Sequence, residues 1–106
     1  MEGVELICFQ IITAAGGAKS AYMEAVNKAK EGLYDEARAM IEEGDKMLKE
    51  GHGPHTDLIQ QEAASNESVI SLILAHAEDQ MMSAEVFKMM AEQVIDLYEK
   101  IDTLSK

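Results

Sequence analysis

The stretch from Ser71 to Met82 constrains the fold more than any other, because it lies inside the longest uninterrupted helical pattern in the chain. At about 100° per residue, one face of that helix carries Leu72, Asp79, Val86, Met90 and Leu97, with Ser83 and Gln93 between them. The opposite face carries Ile73, Ala77, Ala84, Phe87, Ala91, Val94, Tyr98 and Ile101. One apolar face suffices to seat a helix on a small bundle. A second one, interrupted by a single carboxylate, calls for another protein surface. The pattern therefore places Asp79 in an interface between subunits and leaves His76, one short turn away, at its edge as the candidate reactive group.

Composition narrows the alternatives. A chain of 106 residues supports one modest core, and we expect a single helical domain over residues 1–106. Aromatic content is 5%, Trp is absent, and there are eight methionines and one proline. Such a chain packs helices through small and flexible side chains more readily than it builds a sheet. A formal charge of −11 repels nucleic acid and anionic membrane alike, so neither is expected as a partner. No apolar run approaches the ~20 residues that span a bilayer, no leader-like segment opens the chain, and the expected location is the cytoplasm. The single cysteine, Cys8, forms no internal disulfide and fits a reducing compartment.

In chain order, the first helix is predicted over Val4–Lys30. Val4, Cys8, Ile11, Ala15, Ala18, Tyr22, Ala25 and Ala29 recur in three- and four-residue steps. Gly16 and Gly17 inside it lower helix propensity by about 1 kcal/mol each, and the usual return is close approach of a neighbouring helix. Gly32 is a C-cap signal. A second helix is expected from near Asp35, with Ala37, Met40, Ile41, Met47 and Leu48 as its apolar positions. The segment Gly51-His52-Gly53-Pro54 interrupts the pattern, since Pro54 cannot donate to the helix ladder and disfavours helix at Gly53. Helical character returns from Thr56 to Ala64, so the expectation is a kinked helix or two helices in line. Ser65 and Asn66 are read as N-cap residues of the third helix, followed by Glu67, and that helix runs to about Leu104. Three helices with short connections make an antiparallel bundle.

Spacing alone leaves two readings of His76 open: a helix-face histidine satisfied by a neighbour, or a nucleophile. The same residues, taken together, resemble the IIA enzymes of the lactose/N,N′-diacetylchitobiose (cellobiose) branch of the bacterial sugar phosphotransferase system. In the first helix the resemblance rests on Ile11-Ile12, Gly16, Ala18-Lys19-Ser20, Glu24-Ala25 and Ala29-Lys30. In the second it rests on Ala37-Arg38-Ala39-Met40, His52, Thr56 and Leu58-Ile59; in the third, on His76-Ala77-Glu78-Asp79 and Met82. It implies an all-α homotrimer of three-helix bundles with the third helices at the threefold axis. It implies that His76, through Nε2, takes phosphate from the general phosphocarrier protein HPr and hands it to a cysteine of a IIB component. It further implies that Asp79 meets its two symmetry mates on the axis with one divalent cation per trimer. Oxygen donors suit Mg²⁺ or Ca²⁺, and Mg²⁺ is the expectation. The chain departs from the family pattern at Gln80, where many relatives carry a second histidine, and at Glu78, where many carry glutamine.

The other candidates carry less. His52 and His55, three residues apart, lack a cysteine to complete a metal site and read as part of the helix interruption. Cys8 falls on the apolar stripe and reads as core. Met81 and Met82, beside His76, suggest a flexible docking surface. Glu36, Glu42 and Glu43 read as solvated helix faces. The competing function is a non-catalytic helical adaptor that assembles through its third helix, and His76 is the residue such an adaptor does not need.

Overall fold

The computed structural model describes residues 3–65 and 71–106. They form three helices, α1 (Val4–Lys30), α2 (Tyr34–Ser65) and α3 (Leu72–Leu104), in a rod of 60 × 20 × 19 Å. The helix α1 lies in the middle. Both α2 and α3 pack along it, while the backbones of α2 and α3 stand further apart and meet mainly through long side chains.

The periodic small residues of α1 explain why it takes the central place. Cys8, Ile11, Ala15, Ala18, Tyr22, Ala25 and Ala29 are all buried, as the stripe predicts. Against them pack Ala37, Ile41, Leu48 and Leu58 from α2, and Ala77, Met81, Ala84, Ala91 and Ile95 from α3. Alanine at half of these positions lets helix axes approach closely. Tyr22 is the largest side chain wholly inside. Its hydroxyl donates to Asp45 Oδ1 at 2.7 Å, and Lys88 Nζ reaches Asp45 Oδ2 at 3.1 Å. One buried phenol thereby links all three helices. Burial, followed by the hydrogen bond to the Asp45 carboxylate, pushes the Tyr22 hydroxyl well above its ordinary range.

The turn between α1 and α2 follows its sequence signal. Gly32 adopts φ 82°; its N–H donates to Ala29 O, and the Leu33 N–H donates to Lys28 O, each at 3.0 Å. This pair of bonds is a Schellman motif, and a side chain at Gly32 would be strained.

Of the two forms expected for α2, a kinked helix or two helices in line, the second is excluded, since α2 is continuous through Pro54. Three other expectations need correction. The glycines that permit close approach are Gly44 and Gly51, not Gly16. A Cβ at Gly44 would stand 2.4 Å from Tyr22 Cε1, and one at Gly51 would stand 2.9 Å from Met81 Cε, whereas Gly16 has nothing within 4 Å. Gly17 meets only Met47 Sδ, at 3.2 Å. Thus the glycine in the interruption motif is retained for packing while the helix runs on. The N-cap of α3 is Ser71, whose hydroxyl accepts from the Leu74 N–H at 3.2 Å; Ser65 instead ends α2, and Asn66 and Glu67 lie outside the described residues. Finally, Met81 is core and Ile101 is half exposed, the reverse of their expected placement.

Candidate functional site

The two sides of α3 differ as its sequence demands. Ala77, Met81, Ala84, Ala91 and Ile95 face α1 and are buried. The other side presents Leu72, Met82, Val86, Met90 and Leu97, all more than half exposed, with Asp79 exposed among them. This is the apolar face with one carboxylate that the sequence predicts. It continues into an apolar groove of about 570 Å³ between α1 and α3, lined by Met23, Val26, Met82, Val86, Phe87 and Met90.

His76 projects from the second turn of α3 and is exposed. Its backbone is anchored by the following residue, the wholly buried Ala77. A ring so placed is open to a second macromolecule, while the bundle fixes the backbone that carries it. One turn further along, Gln80 Oε1 accepts a 2.5 Å hydrogen bond from Lys19 Nζ of α1, in a half-buried setting. Residues 76 and 80 stand above one another on a helix, so α1 delivers a lysine to the flank of the histidine. In the sequence Lys19 stands out only through the resemblance, and its place beside the core residue Ala18 is the signal available there.

The acid Glu78 points elsewhere. Two residues from His76, it turns by about 200° around the axis and is half buried on the flank facing α2. There the buried Nε2 of His55 lies 2.7 Å from Glu78 Oε1 without a well-directed hydrogen bond. Cys8 is core, as expected; burial, followed by the charge of Glu78, raises its thiol pKa. His52 Nε2 approaches Glu85 Oε1 at 3.5 Å on the surface. The two histidines of the interruption motif therefore each reach a different glutamate of α3. Among the described residues of one chain no three His, Cys, Asp or Glu side chains are grouped as metal ligands, and none of the described helices is long and apolar enough to cross a membrane.

Comparison with known proteins fits this geometry. Residues 6–99 match the family model for the lactose/cellobiose-specific IIA subunit of the phosphotransferase system. The chain is 41% identical over 100 residues to the lichenan-specific phosphotransferase enzyme IIA component of Bacillus subtilis, covering 94% of this chain and 91% of that one. It is 33% identical to the lactose-specific EIIA component of Staphylococcus epidermidis, covering 92% and 93%. The crystal structure of the cellobiose-specific enzyme IIA from Bacillus anthracis superposes with a TM-score of 0.90 at 38% identity, over 97% of this chain and 95% of that chain. The IIA(chitobiose) chain from a complex with HPr in the N,N′-diacetylchitobiose branch of Escherichia coli does so with a TM-score of 0.84 at 29% identity, over 96% and 99%. A match this extensive, over an all-α three-helix bundle whose third helix exposes a histidine, settles the placement: the chain belongs to the lactose/cellobiose-specific IIA subunits of the sugar phosphotransferase system, which are phosphotransferase components.

Proposed function

We propose that this chain carries phosphate on His76 between the phosphocarrier HPr and a IIB component during uptake of a β-linked disaccharide. The observation that carries the reading is an exposed histidine on a helix whose next residue is buried in the bundle. The bundle fixes the backbone that carries the imidazole and leaves the ring open to a partner. In the first step the phosphorus–nitrogen bond of the donor's phosphohistidine breaks, and the donor ring keeps the bonding pair. The lone pair of His76 Nε2 takes the phosphoryl group. In the second step a cysteine thiolate of the IIB component takes it from His76. Such transfers depend on positioning and charge neutralisation. Both partners act on the cytoplasmic side in this reading. The sugar is taken as cellobiose, diacetylchitobiose or lactose by likeness to the relatives.

Asp79 belongs to assembly in the same reading. Its exposed apolar flanks Leu72, Val86 and Met90 suit burial against two further copies of α3 in a homotrimer. Three carboxylates would then converge, at a cost of several kcal/mol if ionised and unbridged. One chain gives one carboxylate, so a cation such as Mg²⁺ would be held by Asp79 of all three copies. Such an ion would supply neutralising charge there.

Incubation with phosphoenolpyruvate, enzyme I and HPr, followed by intact-mass measurement, tests the carrier role. Wild type gains one phosphoryl unit and His76→Ala gains none. Phosphate recovered on His52 or His55 refutes it.

A further inference from the structure

From the contacts of α1 with α3 we infer that Lys19, held in place by Gln80, binds the phosphoryl group that His76 carries. The inference rests on the phosphocarrier reading above and adds the residue that receives the charge.

The first support is geometric. Gln80 follows His76 by one turn, which puts their Cβ atoms about 6 Å apart on the same flank of α3. Lys19 Nζ stands 2.5 Å from Gln80 Oε1, so its ammonium is held one helical turn from the residue that would carry the phosphate. The second support is electrostatic. Arg38, Lys46, Lys88 and Lys106 each reach a carboxylate. Lys19, like Lys28, Lys30, Lys49 and Lys100, makes no ion pair among the described residues, but its ammonium is held across a helix interface by a neutral amide. A half-buried ammonium without a counter-ion is a poor stabiliser of the resting bundle, and a good site for an incoming dianion. The third support is the arrangement of nearby acids. Glu78 is drawn to the far flank by His55 of α2, so Asp79 is the exposed acid left near the ring on α3. Charge from α1 reaches this turn through Lys19. Its three donors allow it to keep Gln80 and still donate to phosphoryl oxygens.

Lys19 is therefore a binding residue for the phosphorylated state, and Gln80 is the residue that positions it. Three variants separate charge from structure. Lys19→Gln keeps a donor for Gln80 without the charge, Lys19→Met loses both, and Lys19→Arg keeps both. Each is phosphorylated through HPr, and the rate of phosphoryl gain is followed by mass. The phosphorus NMR signal of the product is followed against pH. Loss of one charge-assisted contact to the phosphate predicts about tenfold slower gain for Lys19→Gln and Lys19→Met. The titration midpoint of their phosphorus signal should rise, because a cation no longer disfavours ring protonation. Lys19→Arg should restore both. A purely structural tie predicts that Lys19→Gln behaves as wild type, and that result overturns the inference. So does an unchanged midpoint in Lys19→Gln. If Lys19→Met fails to fold, Lys19→Gln decides alone. Absence of phosphate from His76 in the wild type overturns the carrier reading and this inference together, whereas normal wild-type transfer with an indifferent Lys19→Gln overturns this inference only.

Discussion

Gly44→Ala should destabilise the bundle although alanine is the better helix former. In a helix interior the change is worth about 1 kcal/mol in alanine's favour. At Gly44 the new Cβ would lie 2.4, 2.7 and 2.9 Å from Cε1, Cδ1 and Cζ of the Tyr22 ring. Carbon atoms prefer about 3.5–4.0 Å, so the ring must retreat by roughly 1 Å. It has little room to do so, being wholly buried and bonded to Asp45. Overpacking of this kind costs about 1–3 kcal/mol, and weakening a hydrogen bond to a charged group adds to it. The net loss is about 2 kcal/mol, which at this chain length lowers Tm by about 8 °C. Gly16→Ala is the matched control, since nothing lies within 4 Å of its Cβ position; it should raise Tm by up to about 4 °C. Thermal melts at one fixed protein concentration measure both. In a Tyr22→Leu background the penalty of Gly44→Ala should shrink, because the two sites are in contact and couple. Gly44→Ala melting at or above wild type, or losing as much in the Tyr22→Leu background, refutes the reasoning.

Two further outcomes follow from burial and charge. Asp79→Leu should raise thermal stability and abolish any loss caused by a chelator, because it removes the converging carboxylates proposed for the trimer axis; a lower melt with both proteins indifferent to chelator moves the interface elsewhere. Cys8 should resist thiol reagents until the protein unfolds. Burial raises its pKa, so the folded state keeps a proton that the unfolded chain releases above about pH 8.5. Its contribution is full below that pH and is lost as pH rises through and beyond it. Urea unfolding should therefore lose less stability between about pH 8.5 and 9.5 in Cys8→Ala than in wild type; equal losses would put the thiol in contact with water.

The apolar stripe of α1, the bounds of α1 and the two faces of α3 were legible in the sequence, because helical periodicity records which side chains face a neighbour. The place of Asp79 on the face turned away from α1 followed from the same pattern. What periodicity does not record is which neighbour. Gly16-Gly17 and Gly44 look alike along the chain, and only the position of the Tyr22 ring across the interface tells them apart. Pro54 signals a break through its missing N–H, yet Gly51 packed under Met81 and Ala14 and the buried Leu58 one turn later hold α2 together across it. Met81 and Met82 are adjacent in sequence and 100° apart on the helix, so one entered the core while the other remained on the groove. The link from Lys19 to Gln80 joins residues 61 apart, beyond the reach of any local pattern.

The central position of α1 also sets an order of events in time. Since the backbones of α2 and α3 approach each other much less than either approaches α1, α1 and α2 can pair first, two neighbours joined by a three-residue turn. Local pairing of this kind closes quickly, because little chain entropy is lost before contacts are gained. The helix α3 then has one surface to find, and reaches it with its second apolar face still uncovered. In the homotrimer proposed above, association with further copies would then be a separate, later and bimolecular event, so refolding should show a rapid step independent of protein concentration followed by a slower one that accelerates with it.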